Sequence, residues 1–137
     1  MILVHHFCRS RLINVGELRH SSRMYLVSLP SKCDILYLQE HWLSSEQLGL
    51  LSSISTKHLA RGICGFTNVD ILKGRSYGGC AVFWRPNLNA KVVDVDTGSN
   101  RICAVQFVTS KHKLLLINVY MPFEDSHIDT DEYSDNK

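Results

Sequence analysis

Between Asp34 and Glu40 the chain reads Asp-Ile-Leu-Tyr-Leu-Gln-Glu, a near-continuous apolar run closed by two polar residues. That pattern predicts a central strand covered on both faces. Before it, Tyr25, Leu26 and Leu29 recur at helical spacing behind a serine cap within Ser21–Leu29, and Pro30 ends the pattern, which predicts a short helix. After it, Ser44-Ser-Glu-Gln47 has the form of a capping box, and Leu48, Leu51 and Ile54 follow at helical spacing, so a second helix is predicted. From Gly78 onward the period becomes that of sheet. Gly78–Arg85, Ala90–Asp96, Arg101–Thr109 and Lys113–Tyr120 are four strand candidates in succession, joined by short polar connections, and they predict an antiparallel meander. Helices early and sheet later predict an α+β or layered α/β architecture.

Composition narrows the class. The 137 residues are 45% hydrophobic and 20% charged with only 8 Gly and 3 Pro, which fits one domain or part of one and excludes a disordered or collagen-like chain. No apolar run approaches the ~20 residues needed to cross a bilayer, and the start lacks the basic region of a secretory signal. No membrane association and no export are expected. The five cysteines are an odd set without a C-x-x-C pair, so buried reduced thiols are expected instead of disulfides or a zinc site. The net charge of +2 conceals a split: residues 1–123 carry 14 Lys/Arg against 7 Asp/Glu, whereas residues 124–137 carry one Lys against six carboxylates. A basic body favours polyanionic partners.

Glu40 is the most informative single residue. An acid at the carboxyl end of a buried strand stands at the rim of a sheet, where ligands of layered α/β folds collect. It is equally the place for a surface acid in an exposed turn. A hard cation such as Mg²⁺ takes one or two carboxylates plus phosphate oxygens and waters, so one Glu suffices as a first ligand.

The letters around Glu40 add to this. Cys33-Asp-Ile-Leu-Tyr-Leu-Gln-Glu-His-Trp-Leu43 closely resembles the Glu motif of the endonuclease/exonuclease/phosphatase superfamily, specifically the endonuclease domain of LINE-type (non-LTR) retrotransposons. Three further segments resemble that family in order: Gly74-Arg-Ser-Tyr-Gly-Gly-Cys-Ala-Val-Phe-Trp-Arg85, Asn100-Arg-Ile-Cys-Ala-Val105 and Leu114-Leu-Leu-Ile-Asn-Val-Tyr-Met-Pro122. The resemblance implies an α/β fold, part of a DNase I-like two-sheet sandwich with flanking helices and mostly antiparallel strands. It implies a Mg²⁺-dependent phosphodiester-cleaving site at one rim, with DNA as partner and no small-molecule cofactor. Glu40 then corresponds to the metal-binding Glu, and Tyr120 to the Tyr whose hydroxyl is aimed at a phosphate oxygen. Without the resemblance, Tyr120 reads as a core aromatic ending a strand. Asn14, in Asn14-Val-Gly-Glu-Leu18, resembles the family's opening Asn turn. There Glu17 falls where the family prefers Gly, a position at which a side chain adds strain or forces a different turn.

Arg61, Lys73, Arg75, Arg85 and Arg101 form a scattered basic set that could line a DNA groove. Arg75, Tyr77 and Arg101 are the nucleic-acid-binding candidates, against an ordinary solvated surface. His5-His6 reads as an exposed terminus, and Asp129–Asp135 lacks the Gly and closing Glu of a calcium loop. Gly74–Gly79 lacks the Gly-Lys-Ser/Thr ending of a phosphate loop.

The family completes its site with Gly-Asp-x-Asn and Ser-Asp-His motifs, and the sequence contains no Gly-Asp and no Asp-His dipeptide. With roughly 200 to 250 residues expected of a large single domain, the resemblance implies that residues 1–123 are the N-terminal part of such a domain and residues 124–137 an acidic, disordered tail. The expected chain is the N-terminal fragment of a retrotransposon-type endonuclease whose ancestral activity is Mg²⁺-dependent nicking of DNA, inactive alone because those motifs are absent. An active nuclease or phosphatase of the superfamily represented by a shortened chain, and a non-catalytic nucleic-acid-binding module, are the alternatives. A DNA substrate implies an intracellular, nuclear location.

Overall fold

The computed structural model describes residues 9–18, 24, 26, 33–66, 77–86 and 89–121. Two sheets form a sandwich. The first holds β1 (Ser10–Asn14), β2 (Ile35–Gln39), β3 (Leu59–Ile63) and β4 (Cys80–Trp84) in the order β1-β2-β4-β3, with β1 parallel to β2 and the other pairings antiparallel. The second holds β5 (Lys91–Val95), β6 (Ile102–Val108) and β7 (Lys113–Val119) as an antiparallel meander.

Burial explains the differing strand patterns. One face of the first sheet turns Ile35, Cys80, Val82 and Trp84 toward Cys103, Val105, Phe107 and Leu116 of the second, which is the inter-sheet core. Its other face buries Leu36, Leu38, Ala81 and Phe83 under Leu26, Leu43, Leu51 and Ile54. β2 and β4 are covered twice and therefore read as continuous apolar runs. β7 has one covered face, with Leu116 and Asn118 buried and Leu115, Ile117 and Val119 exposed.

The expected mixed α/β architecture, with two sheets and mostly antiparallel strands, is present, with some differences of detail. The capping box at Ser44 is made, Ser44 N–H bonding the Gln47 side chain at 3.1 Å, but the helix that follows, Ser45–Ser53, is 3₁₀. Its apolar residues Leu48, Leu51 and Ile54 recur every third position, the period of a 3₁₀ helix. Ser52 and Ser53 donate back to the carbonyls of Gly49 and Leu50 three residues earlier. The second difference is that β4 does not pair with β5. Every residue of β4 is buried, so it belongs in the middle of the doubly covered sheet, and the chain crosses from one sheet to the other after Arg85. β1 and β3, both edge strands, have no counterpart among the strands expected from the pattern. Of the helix expected at Ser21–Leu29 only Met24 and Leu26 are described, and both are helical. The tail and His5-His6 lie outside the described residues. Among the described residues no helix is long and apolar enough to cross a membrane.

Candidate functional site

The carboxyl ends of β1, β2, β3, β5 and β7 and the amino ends of β4 and β6 share one rim of the sandwich. At that rim the ladder of β2 ends at Gln39 opposite Cys80, and the chain continues in an irregular path against two glycines. Glu40 N–H donates to the Gly79 carbonyl at 2.8 Å and Trp42 N–H to that of Gly78 at 3.0 Å. Glu40 and Trp42 both take left-handed backbone angles, φ 58° and 60°. Such conformations cost of order 1–3 kcal/mol each and persist only where the surroundings impose them.

His41 supplies part of that imposition. Its side chain is 1% exposed. Leu43 N–H donates to Nδ1 at 2.9 Å, so the proton sits on Nε2, which donates to the Ile63 carbonyl at 3.0 Å. Burial lowers its pKa to about 4, although its backbone partners pull the other way.

From the other sheet, Tyr120 follows β7 and its hydroxyl donates to Glu40 Oε1. This bond raises the phenol to about 12, with burial and the negative charge of Glu40 adding and the charge of Arg101 opposing. Tyr120 is therefore a proton donor at neutral pH. Tyr120 N–H bonds the Arg101 carbonyl at 2.8 Å, which sets Arg101 beside it.

Asn118 locks the two strand ends together. It is 2% exposed, its amide donates to the carbonyls of Leu38 and Ala81 at 2.9 Å each, and its Oδ1 accepts from Gln39 Nε2 at 3.2 Å. Gln39 Nε2 also reaches the Val119 carbonyl at 2.8 Å. A buried amide satisfied this fully specifies one arrangement of the sheets, because any slip leaves polar groups unpaired in a dry core.

The structure thus brings Glu40, Tyr120 and Arg101 together. Asn14 ends β1 opposite Gln39, at the same rim, with its Oδ1 accepting from Gly16 N–H at 3.0 Å. Tyr77 is 45% exposed, its ring centroid 6.1 Å from that of Phe66, and it precedes Gly78, whose missing Cβ would lie 3.9 Å from the Tyr120 ring. Arg75 and Lys73 lie outside the described residues. Arg85 does not belong with this group: it follows β4 at the opposite rim, where Nε pairs with Asp34 at 3.3 Å. Arg61 pairs with Asp94 at 3.4 Å. A cavity of about 350 Å³, lined in part by Leu59, Trp84, Val92 and Asp94, also opens at that opposite rim. Gln39, His41 and Asn118 were not among the candidate residues. Their signal was their position inside the quoted motifs, and a polar residue such as Asn118 interrupting an apolar strand is the visible mark of a buried hydrogen-bonding role.

The Asn14 turn contains the strain expected of it. Glu17 has φ 131° beside Gly16 at 59°. Replacing Glu17 with Gly relieves about 1–3 kcal/mol of backbone strain against roughly 0.5–1 kcal/mol of added chain entropy. The Glu17→Gly variant is expected to be more stable by about 1 kcal/mol in urea unfolding; an unchanged or lower midpoint would show that the Glu17 side chain outweighs its backbone.

No group of three or more His, Cys, Asp or Glu side chains able to hold a metal ion together occurs among the described residues. Glu40 alone fits a hard cation that keeps most of its waters and shares phosphate oxygens. It does not fit zinc, which needs three or four protein ligands.

Comparison with protein-family models and with curated proteins gives no match. Among solved structures, the chain is similar to the endonuclease domain of TRAS1, a telomere-specific non-LTR retrotransposon, with 14% identity and a TM-score of 0.49 over 83% of this chain and 46% of that one. It is also similar to NExo, a 3′ phosphatase from Neisseria bound to product DNA hairpin, with 20% identity and a TM-score of 0.48 over 81% of this chain and 40% of that one. The chain spans less than half the length of either.

Proposed function

We propose that this rim is the cation- and phosphate-binding side of a Mg²⁺-dependent, DNA-cleaving phosphodiesterase site of retrotransposon type, without the side that activates water. The observation that carries the reading is the convergence of Glu40 and Tyr120, from different sheets, beside Arg101. The four motif resemblances support it independently.

Each side chain has a definable part. Glu40 would hold the cation through its carboxylate. Tyr120, protonated at neutral pH, would donate to a non-bridging phosphate oxygen, and the Arg101 guanidinium would add positive charge against the same group. Asn14 is proposed as a third catalytic residue, and Tyr77 and Arg75 as contacts to the nucleic acid. A divalent cation, when bound, polarises the scissile phosphate and stabilises charge on the leaving oxygen.

General-base assistance is worth ~10²- to 10⁴-fold, and groups that act as a unit lose most of their catalysis together. The 137-residue chain is therefore expected to leave supercoiled plasmid intact in millimolar Mg²⁺ while binding duplex DNA. Robust nicking, abolished by Glu40→Ala, would overturn the inactivity and favour a working superfamily nuclease. DNA affinity that falls steeply with salt but ignores both Mg²⁺ and Glu40→Ala would favour the non-catalytic binding module.

A further inference from the structure

We propose that the Tyr120 hydroxyl acts as a latch on Glu40: a divalent cation at the carboxylate releases it, and the freed hydroxyl donates to a phosphate oxygen, so cation and phosphodiester bind cooperatively. The inference rests on the reading of Glu40 as the cation-binding carboxylate.

A phenol has one O–H, and here it is given to Glu40 Oε1, so it is not available to a phosphate at the same time. The partners cannot separate by backbone movement. Glu40 N–H is held by the Gly79 carbonyl and Tyr120 N–H by the Arg101 carbonyl. Just before these residues, Gln39 Nε2 bonds Asn118 Oδ1 and the Val119 carbonyl, while the Asn118 amide bonds the carbonyls of Leu38 and Ala81. Rotation of the two side chains is what remains.

A cation that takes Oε1 displaces the hydroxyl directly. One that takes the other oxygen neutralises the carboxylate and makes it a weaker acceptor than a phosphate anion, since hydrogen bonds to charged acceptors are roughly twice as strong as neutral ones. Either way the proton moves from Glu40 to phosphate when both ligands are present. By linkage, phosphate held by Tyr120 raises cation affinity by the same factor that the cation raises phosphate affinity.

The test uses the whole chain, MgCl₂ and a short fluorescent DNA duplex at matched ionic strength, with Glu40→Gln and Tyr120→Phe variants. In the wild type, Mg²⁺ should tighten duplex binding by about 5-fold or more relative to its effect on Glu40→Gln, which reports what Mg²⁺ does to the DNA itself. Tyr120→Phe should lose that enhancement and bind Mg²⁺ several-fold more tightly in the absence of DNA, because nothing competes for the carboxylate. If Glu40→Gln leaves Mg²⁺ binding and the enhancement unchanged, the cation reading of Glu40 fails and the latch with it. If Glu40→Gln abolishes Mg²⁺ binding but Tyr120→Phe behaves as wild type in both measurements, the latch alone is overturned. A readout independent of variants is the Cζ resonance of ¹³C-labelled Tyr120, which should move when Mg²⁺ is added without DNA; a stationary resonance at saturating Mg²⁺ also overturns it.

Discussion

Gly79→Ala is expected to lower stability by more than about 4 kcal/mol, a large share of the roughly 5–15 kcal/mol that holds a domain together. Gly79 has φ 84°, where an L side chain adds roughly 1–2 kcal/mol of strain. A Cβ there would lie 2.7 Å from His41 Nε2 and 2.8 Å from Nδ1, and closer still to Cε1. The ring cannot retreat cheaply, because Nε2 is tied to the Ile63 carbonyl and Nδ1 to Leu43 N–H, and each buried bond broken costs about 1–3 kcal/mol. Overpacking adds another ~1–3 kcal/mol. Moving the glycine instead would pull its carbonyl from Glu40 N–H and displace the proposed cation ligand. Urea unfolding followed by circular dichroism measures the loss, and a variant within about 1 kcal/mol of wild type would show that the ring is not fixed.

Acid should unfold the protein through His41. The unfolded histidine takes its proton near 6.5, whereas in the fold burial holds the pKa at about 4. Between those values the unfolded chain binds more protons than the folded one, so stability falls as pH falls. The contribution is constant above 6.5, begins to disappear below it and is fully lost by about 4. A gap of that width corresponds to about 3 kcal/mol. His58 acts in the same direction: burial lowers it too, with Nε2 bonded to the Cys33 carbonyl at 2.8 Å and Nδ1 facing Ser55 Oγ at 2.9 Å. Urea midpoints across this pH range should drop steeply, and His41→Gln should flatten the dependence. Titration of the His41 ring by NMR near its ordinary 6.5 would sink the prediction.

Much of the site was legible because it sits on strand ends. The polar closure of the run from Ile35 to Gln39 put Glu40 at a rim, and the apolar pattern ending at Tyr120 put that residue at another strand end. What could not be read was that the two ends meet, since the residues are 80 positions apart and nothing local records which sheet faces which. Arg85 shows the same limit in reverse: it belongs to a quoted motif with Gly79, yet β4 carries it to the opposite rim. β1 and β3 leave little mark on the sequence because edge strands, half exposed, carry a weak period.

By itself the sequence determined the doubly covered β2, the alternating strands of the second sheet, the capping box and the strain at Glu17, because each depends on neighbours a few residues away and on which faces are apolar. The tertiary structure alone decided the placement of β4 among the first four strands, the burial of His41 against Gly79 and the contact of Tyr120 with Glu40. These depend on long-range packing, in which a buried polar group such as Asn118 accepts only the one arrangement that satisfies all its bonds.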